Sequence, residues 1–255
     1  TAIGYDSLSE AFETTLLGEG IDSSLLLRTD DHHLGCYLVN TDPEGERTFL
    51  YWRDNSAARQ TFNLYQGTLP QTDLFYFSGI SLAILDDSQR HRLFELVGKL
   101  KEAGCLIAFD TNYRASLWSS KGAAMEWINK AYSCSDIAFV GGDDHRSLFG
   151  HTDSASIFAH LLPYKIQEIV NKNGADGALI SMDRQTYSVP VQFVEKVVDS
   201  TGAGDSFNGA YLAARIRGLS ALKSASYGAS LASVVIQRKG AIITRDDFTS
   251  QIDLI

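Results

Sequence analysis

A chain of 255 residues, 44% hydrophobic and 21% charged, has the size and composition of one large α/β domain, or of one domain with a small appendage. Its formal net charge of -9 gives a phosphate backbone no electrostatic support, so nucleic acid is excluded as a partner and any anion must be held by backbone amides and a few arginines. No apolar run approaches the ~20 residues of a membrane helix, no signal peptide is read, and Cys36, Cys105 and Cys134 are too scattered for disulfides or zinc, so a cytoplasmic protein with buried free thiols and no membrane partner is expected.

Thr1-Ala2-Ile3-Gly4 reads as the end of a strand entering a turn with nothing before it to pair, so the chain is expected to lack an N-terminal segment of the natural protein. Cys36-Tyr37-Leu38-Val39-Asn40 and Arg47-Thr48-Phe49-Leu50-Tyr51-Trp52-Arg53 flank the turn-forming cluster Asp42-Pro43-Glu44-Gly45, which predicts an antiparallel hairpin, either a lid or a structural edge. Four short apolar runs then recur at roughly thirty-residue intervals, the size of one βα unit. They are Leu74–Phe77, Leu106–Phe109, Ile137–Val140 and the run around Ile169-Val170. Between the first two, Leu93, Leu96, Val97 and Leu100 share one helical face, Lys99 and Lys101 sit near the helix end, and Gly104 supplies the stop. Short unalternated strands between amphipathic helices predict a mostly parallel sheet covered on both faces. His32 and His33 lie in a polar loop, and His145 and His151 are six apart without zinc-ligand spacing, so surface or loop positions are expected for the histidines. Trp52, Trp118 and Trp127 read as packing residues, with Trp52 also placed to shield a site.

The chemistry concentrates in Val197-Val198-Asp199-Ser200-Thr201-Gly202-Ala203-Gly204-Asp205-Ser206-Phe207-Asn208-Gly209-Ala210-Tyr211. A β-branched strand is expected to end at Val198, followed by a small-residue turn and a helix with Phe207, Ala210, Tyr211 and Ala214 at helical spacing, stopping at Gly218. Gly202 and Gly204 permit close approach, and the turn aims free N–H groups at one spot, an anion site by geometry and dipole. Asp205 is either an ordinary acidic residue of a first helical turn or a base facing a substrate hydroxyl while the amides of Gly202, Ala203 and Gly204 hold phosphoryl oxygens. The chain contains no GxxxxGK[ST] loop, and Phe207 stands where a dinucleotide fingerprint requires its third glycine.

Asp199 to Asn208 resembles the C-terminal signature of the ribokinase-like (PfkB) carbohydrate kinases, in which the aspartate of the Gly-Ala-Gly-Asp run is the catalytic base. The resemblance implies an α/β ribokinase-like fold over residues 1–255 with a mostly parallel central sheet, helices on both faces and a small β lid at 35–53. It implies ATP and Mg2+ as cofactors and a sugar as acceptor. Lys172, Gly174 and Gly177 are similar to the K-x-G-x-x-G turn bordering the ATP site, and Gly240-Ala241-Ile242 resembles a nucleotide-side segment. Within the family, Gly35-Cys36-Tyr37-Leu38, the Tyr51-Trp52-Arg53 strand, Ser78-Gly79-Ile80 and Asp110-Thr111-Asn112-Tyr113-Arg114 resemble the branch acting on 2-keto-3-deoxygluconate. That implies Tyr37, Tyr51, Arg53, Arg114 and Asp205 on the sugar acid, whose carboxylate suits two arginine forks, and Asn112 on the nucleotide. Asp144 stands where a magnesium-orienting Glu is usual, with Gly141 in place of a polar residue. A monovalent cation near Asp199 and a homo-oligomer through the lid are further implications. A fructokinase or other neutral-sugar kinase, or a non-catalytic sugar-sensing relative, stays open at this point.

Overall fold

The computed structural model describes residues 1–41, 47–67 and 69–251. They form two compact units, one of Thr1–Gln71 with Ser81–Leu96, the other of Thr72–Ile80 with the chain from Val97 onward.

In the first unit, β1 (Ala2–Ile3) pairs in parallel with β2 (Leu27–Arg28). Between them lies α1 (Ser7–Gly18), started by Asp6, whose Oδ1 accepts the N–H groups of Leu8 and Ser9 at 3.0 Å each. The expected hairpin is β3 (Cys36–Thr41) against β4 (Arg47–Trp52), in register from Cys36 opposite Trp52 to Thr41 opposite Arg47. Its Asp42–Gly45 turn lies outside the described residues. A two-stranded ribbon buries little by itself, and Tyr37, Leu38, Leu50, Tyr51 and Trp52 are all exposed. Cys36 is exposed too, so the expectation of buried thiols holds for Cys105 and not for Cys36. Likewise Trp118 and Trp127 are packing residues, while Trp52 is 60% exposed. The short α2 (Thr61–Leu64) is tied down by the buried Gln89, whose Oε1 accepts the Phe62 N–H at 3.1 Å.

The second unit is built on a six-stranded sheet, in spatial order β10, β9, β8, β7, β6, β5. Its strands are β5 (Leu74–Ser78), β6 (Leu106–Asp110), β7 (Ile137–Gly141), β8 (Glu168–Lys172), β9 (Ala178–Met182) and β10 (Gln185–Val189). All four predicted apolar runs are strands. β5 to β8 are parallel, and β9 and β10 join antiparallel at one edge. The helices are α3 (Gly79–Ala83), α4 (Asp87–Glu102), α5 (Lys121–Cys134), α6 (Gly142–Phe149), α7 (Ser154–Leu161), α8 (Ala203–Ile216), α9 (Ala221–Val235) and α10 (Arg245–Gln251); α3 and α4 run across the division between the units. α8 and α9 cover one face of the sheet, where Ala108, Phe139, Val170 and Ile180 pack with Phe207 and Tyr211. On the other face Phe109 meets Tyr132 of α5 edge-on, ring centroids 5.5 Å apart.

Two expectations fail. Val197 and Val198 are not a strand: among the described residues no partner strand lies beside them, both are exposed, and the N–H groups of Val198 and Asp199 converge on Ile236 O at 2.8 and 3.1 Å. β-branching favours a strand only where a pleated neighbour is available. His145 is not at the surface but fully buried, because it shares with Leu148 the inner face of α6 while Asp143 and Arg146 point out. Its Nε2 lies 2.8 Å from Tyr132 OH and its Nδ1 3.1 Å from His151 Nδ1. Burial, with His151 and His160 nearby, pushes its pKa down to about 3.

Candidate active site

The alternation of β5, β6 and β8 puts Tyr76, Asp110 and Lys172 on the face that carries α8, at or near the C-terminal ends of their strands. In a doubly covered sheet this is where ligands bind. Lys172 Nζ donates to Asp110 Oδ2 at 3.1 Å and to Asn208 Oδ1 at 3.0 Å. Asn208 Nδ2 donates to Asp110 Oδ2 at 2.7 Å and to Tyr76 OH at 3.2 Å. Asp110 and Asn208 are buried, so each charge and each amide atom of this knot is matched. Sequence reading missed Asp110, Asn208 and Tyr76 as site residues. Asn208 could have been found, because it lies one helical turn after Asp205; for Tyr76 no one-dimensional signal exists.

Above the knot, α8 opens at Gly202, which has φ +78°, and a Cβ there would lie 3.0 Å from the Ala241 Cβ. Both the left-handed backbone and the approach of the 240–242 segment therefore require glycine. Asp199 fastens this junction, Oδ1 accepting the Thr201 N–H at 2.9 Å and Oδ2 the Gly240 N–H at 3.1 Å. The Ala203 N–H donates to Ser200 O at 3.3 Å. The N–H groups of Gly202, Gly204 and Asp205 have no acceptor among the described residues. Unpartnered amides at a helix start, with the helix dipole behind them, form an anion site.

Asp205 stands in the first turn of α8 and is exposed. The surrounding protein still withholds enough water to raise its pKa; Asp110 adds repulsion, and Lys172 and Arg114 oppose both. A proton acceptor with a lifted pKa beside an anion site is suited to general-base work. Asp144, in the first turn of α6, is pushed up to about 6 chiefly by burial. Arg114 Nη1 is 3.9 Å from Asp144 Oδ1. The missing side chain of Gly141 leaves room for that carboxylate, since a Cβ there would sit 3.2 Å from Oδ2. Between Asp110 and Arg114 the backbone is forced: a Cβ on Gly79 would come within 2.0 Å of Thr111 O, and Asn112 has φ +29°. Asn112 Oδ1 is buried with no hydrogen-bond partner, so an acceptor waits there.

Two cavities of about 530 Å³ each meet at the β8–β9 turn. One is apolar, lined by Val189, Val191, Val197, Ala229 and Ile236. The other is polar, lined by Gly142, Asp143, Arg146, Asp153 and Asn173. Lys172 and Gly174 border both, and Gly177 borders the apolar one. Gly177 has φ +86°, and a Cβ on it would strike Val189 O at 2.4 Å. Tyr37, Tyr51 and Arg53 gather in the first unit: the guanidinium of Arg53 lies 3.9 Å from the Tyr51 ring centre, and the two tyrosine rings are 5.9 Å apart. Among the described residues no group of three His, Cys, Asp or Glu is arranged to hold a metal ion, and no helix is long and apolar enough to cross a membrane.

A sheet that ends in an ion-paired knot, a helix start with vacant amides and a carboxylate of raised pKa together suit an α/β enzyme to phosphoryl transfer. The family model described as pfkB family carbohydrate kinase matches residues 1–247, and the chain belongs to that family. It is 39% identical over 254 residues to the 2-dehydro-3-deoxygluconokinase of Escherichia coli K12, spanning 96% of this chain and 82% of that one. Among solved structures it is similar to the aminoimidazole riboside kinase of Salmonella enterica complexed with aminoimidazole riboside and an ATP analogue, with 25% identity, a TM-score of 0.81 and coverage of 94% and 79%. A Vibrio cholerae fructokinase bound to fructose, ADP and potassium shares the fold at 23% identity, with a TM-score of 0.82 and coverage of 94% and 78%.

Proposed function

We infer that this carbohydrate kinase transfers the γ-phosphoryl group of ATP to the terminal hydroxyl of 2-keto-3-deoxygluconate, giving 2-keto-3-deoxy-6-phosphogluconate and ADP. The observation that carries the chemistry is the coincidence, within four residues, of vacant amides at Gly202, Gly204 and Asp205 with the raised carboxyl of Asp205. Asp205 accepts the hydroxyl proton as the oxygen attacks, and the amides hold the charge on the moving phosphoryl oxygens. The apolar cavity, bordered by Lys172, Gly174 and Gly177, takes the nucleotide base and sugar. The unpartnered Asn112 Oδ1 accepts from the nucleotide side.

The substrate follows from the named relative and from Arg114, whose guanidinium is over half exposed and only loosely paired. Its planar fork suits the sugar carboxylate. The family resemblance alone assigns Tyr37, Tyr51 and Arg53 to the sugar, with 35–53 as the lid. Asp144, desolvated and lifted, is a carboxylate that would gain from a cation; it would hold magnesium through water, and the metal would supply charge neutralisation for the transferring group. A monovalent cation beside Asp199 would support the same turn. The exposed apolar side chains of the hairpin favour a homo-oligomer through it, and the free thiols accord with a cytoplasmic setting.

The test is a coupled assay with Mg-ATP comparing 2-keto-3-deoxygluconate with fructose and ribose. The keto acid is expected to be strongly preferred, Arg114→Ala to raise its KM, and Asp205→Asn to lower kcat about 10²- to 10⁴-fold with ATP binding retained. Turnover of the neutral sugars alone would overturn the substrate assignment.

A further inference from the structure

We propose that Tyr76 is a specificity-determining residue of the acceptor site, its hydroxyl donating a hydrogen bond to a second oxygen of the sugar acid beside the hydroxyl that Asp205 deprotonates. The inference rests on Asp205 being the base; the direction of the bonds around Asn208 adds the rest.

Lys172 has only donors, so the Asn208 atom facing it must be the carbonyl Oδ1. The other end of the amide is then the NH2 group, and its contact with the Asp110 carboxylate at 2.7 Å agrees with that orientation. One of the two Nδ2 hydrogens goes to Asp110 and the other to Tyr76 OH. Tyr76 is therefore the acceptor in its bond with Asn208, and its own hydrogen remains to be given away. No acceptor for it exists among the described residues. A phenol held at its oxygen by a buried amide, with its hydrogen unassigned, is a donor waiting for a ligand.

Its position supports this. Tyr76 lies opposite Ala108 in the β5–β6 register, two residues before the Ser78–Asp110 pair, so its side chain points to the same side of the sheet as Asp110. The residue is 38% exposed although its oxygen is tethered, so the ring edge borders open space. Burial and the neighbouring carboxylates of Asp110 and Asp205 push the phenol pKa up, which keeps the hydrogen in place at any working pH. A site that supplies a fixed donor penalises an acceptor molecule lacking the matching oxygen more than it rewards one extra apolar contact.

The experiment is Tyr76→Phe in the full chain, which removes one oxygen and keeps the ring. KM for 2-keto-3-deoxygluconate is expected to rise about five- to tenfold, the worth of one neutral hydrogen bond, with KM for ATP unchanged and the thermal midpoint lowered by the loss of the acceptor for Asn208 Nδ2. Deoxy analogues of the sugar acid then locate the contact: for the analogue lacking the contacted oxygen, wild type and Tyr76→Phe should have equal kcat/KM. An unchanged sugar KM, an equal rise in the KM for ATP, or a lowered midpoint with normal sugar KM would each overturn the proposal. If the wild-type enzyme turns over fructose and not the keto acid, the substrate assignment fails while the Tyr76 test is read on fructose. If Asp205→Asn keeps full activity, the base assignment fails, whatever Tyr76→Phe does.

Discussion

Replacing Lys172 by Met tests whether the buried knot is one unit. The Lys172–Asp110 contact at 3.1 Å is worth about 5 kcal/mol of direct attraction at an effective dielectric of ~20. Removing one partner of a buried ion pair costs about 3–5 kcal/mol, because the other charge stays buried. Asp110 keeps its bond from Asn208 Nδ2 at 2.7 Å, and the Lys172 side chain is 18% exposed, so the lower end applies, about 3 kcal/mol. For a chain of this size that is a fall in Tm of roughly 6–12 °C, readable by calorimetry. Lys172→Met with Asp110→Asn removes the stranded charge and should recover at least half of the loss. Lys172 also counteracts the lift on Asp205. Its removal should therefore raise the Asp205 pKa further and move the acid limb of the kcat/KM profile to higher pH. A loss under about 1 kcal/mol, or a double variant no better than the sum of the two single ones, would refute a coupled knot.

Asp144 titrates at about 6 in the folded chain, against about 3.9 for an unperturbed aspartate. The folded state thus holds the extra proton in that window: stability is complete below about pH 4 and declines by roughly 3 kcal/mol as pH rises through about 6. In magnesium-free buffer Asp144→Asn should be about 2–3 kcal/mol more stable than wild type at pH 8 by urea unfolding, with little difference near pH 4; a less stable variant at pH 8 would contradict the burial argument. Gly202→Ala places a Cβ in a left-handed residue and against Ala241, and should cost at least about 1–2 kcal/mol while raising the KM for ATP, as urea unfolding and initial rates would report.

What could be read in one dimension was what the chain builds locally. Three of the four parallel strands open with an unbroken run of four apolar or aromatic residues, the fourth shows only Ile169-Val170, and the helix from Ala203 shows its glycines, its acid and its buried face within fifteen residues. Asp205, the proposed base, was legible for the same reason, since its carboxyl and the amides share one turn. Val197 and Val198 misled because their strand propensity met no neighbour, and His145 because six histidines without ligand spacing look alike until α6 turns one inward. Lys172 was assigned to the nucleotide turn by motif, and in the structure it borders the apolar cavity. Its partners could not be read: Asp110 is 62 residues away, Asn208 is 36, and Tyr76 is 132 from Asn208. What brings them together is strand register, Ser78 beside Asp110 and Gly141 beside Lys172, and register depends on the packing of every helix that covers the sheet. The proposed base is thus set by four consecutive residues, and the knot beneath it by three strands and a helix. Changes on the far faces of those strands should therefore alter the pH profile of Asp205 before they alter its position.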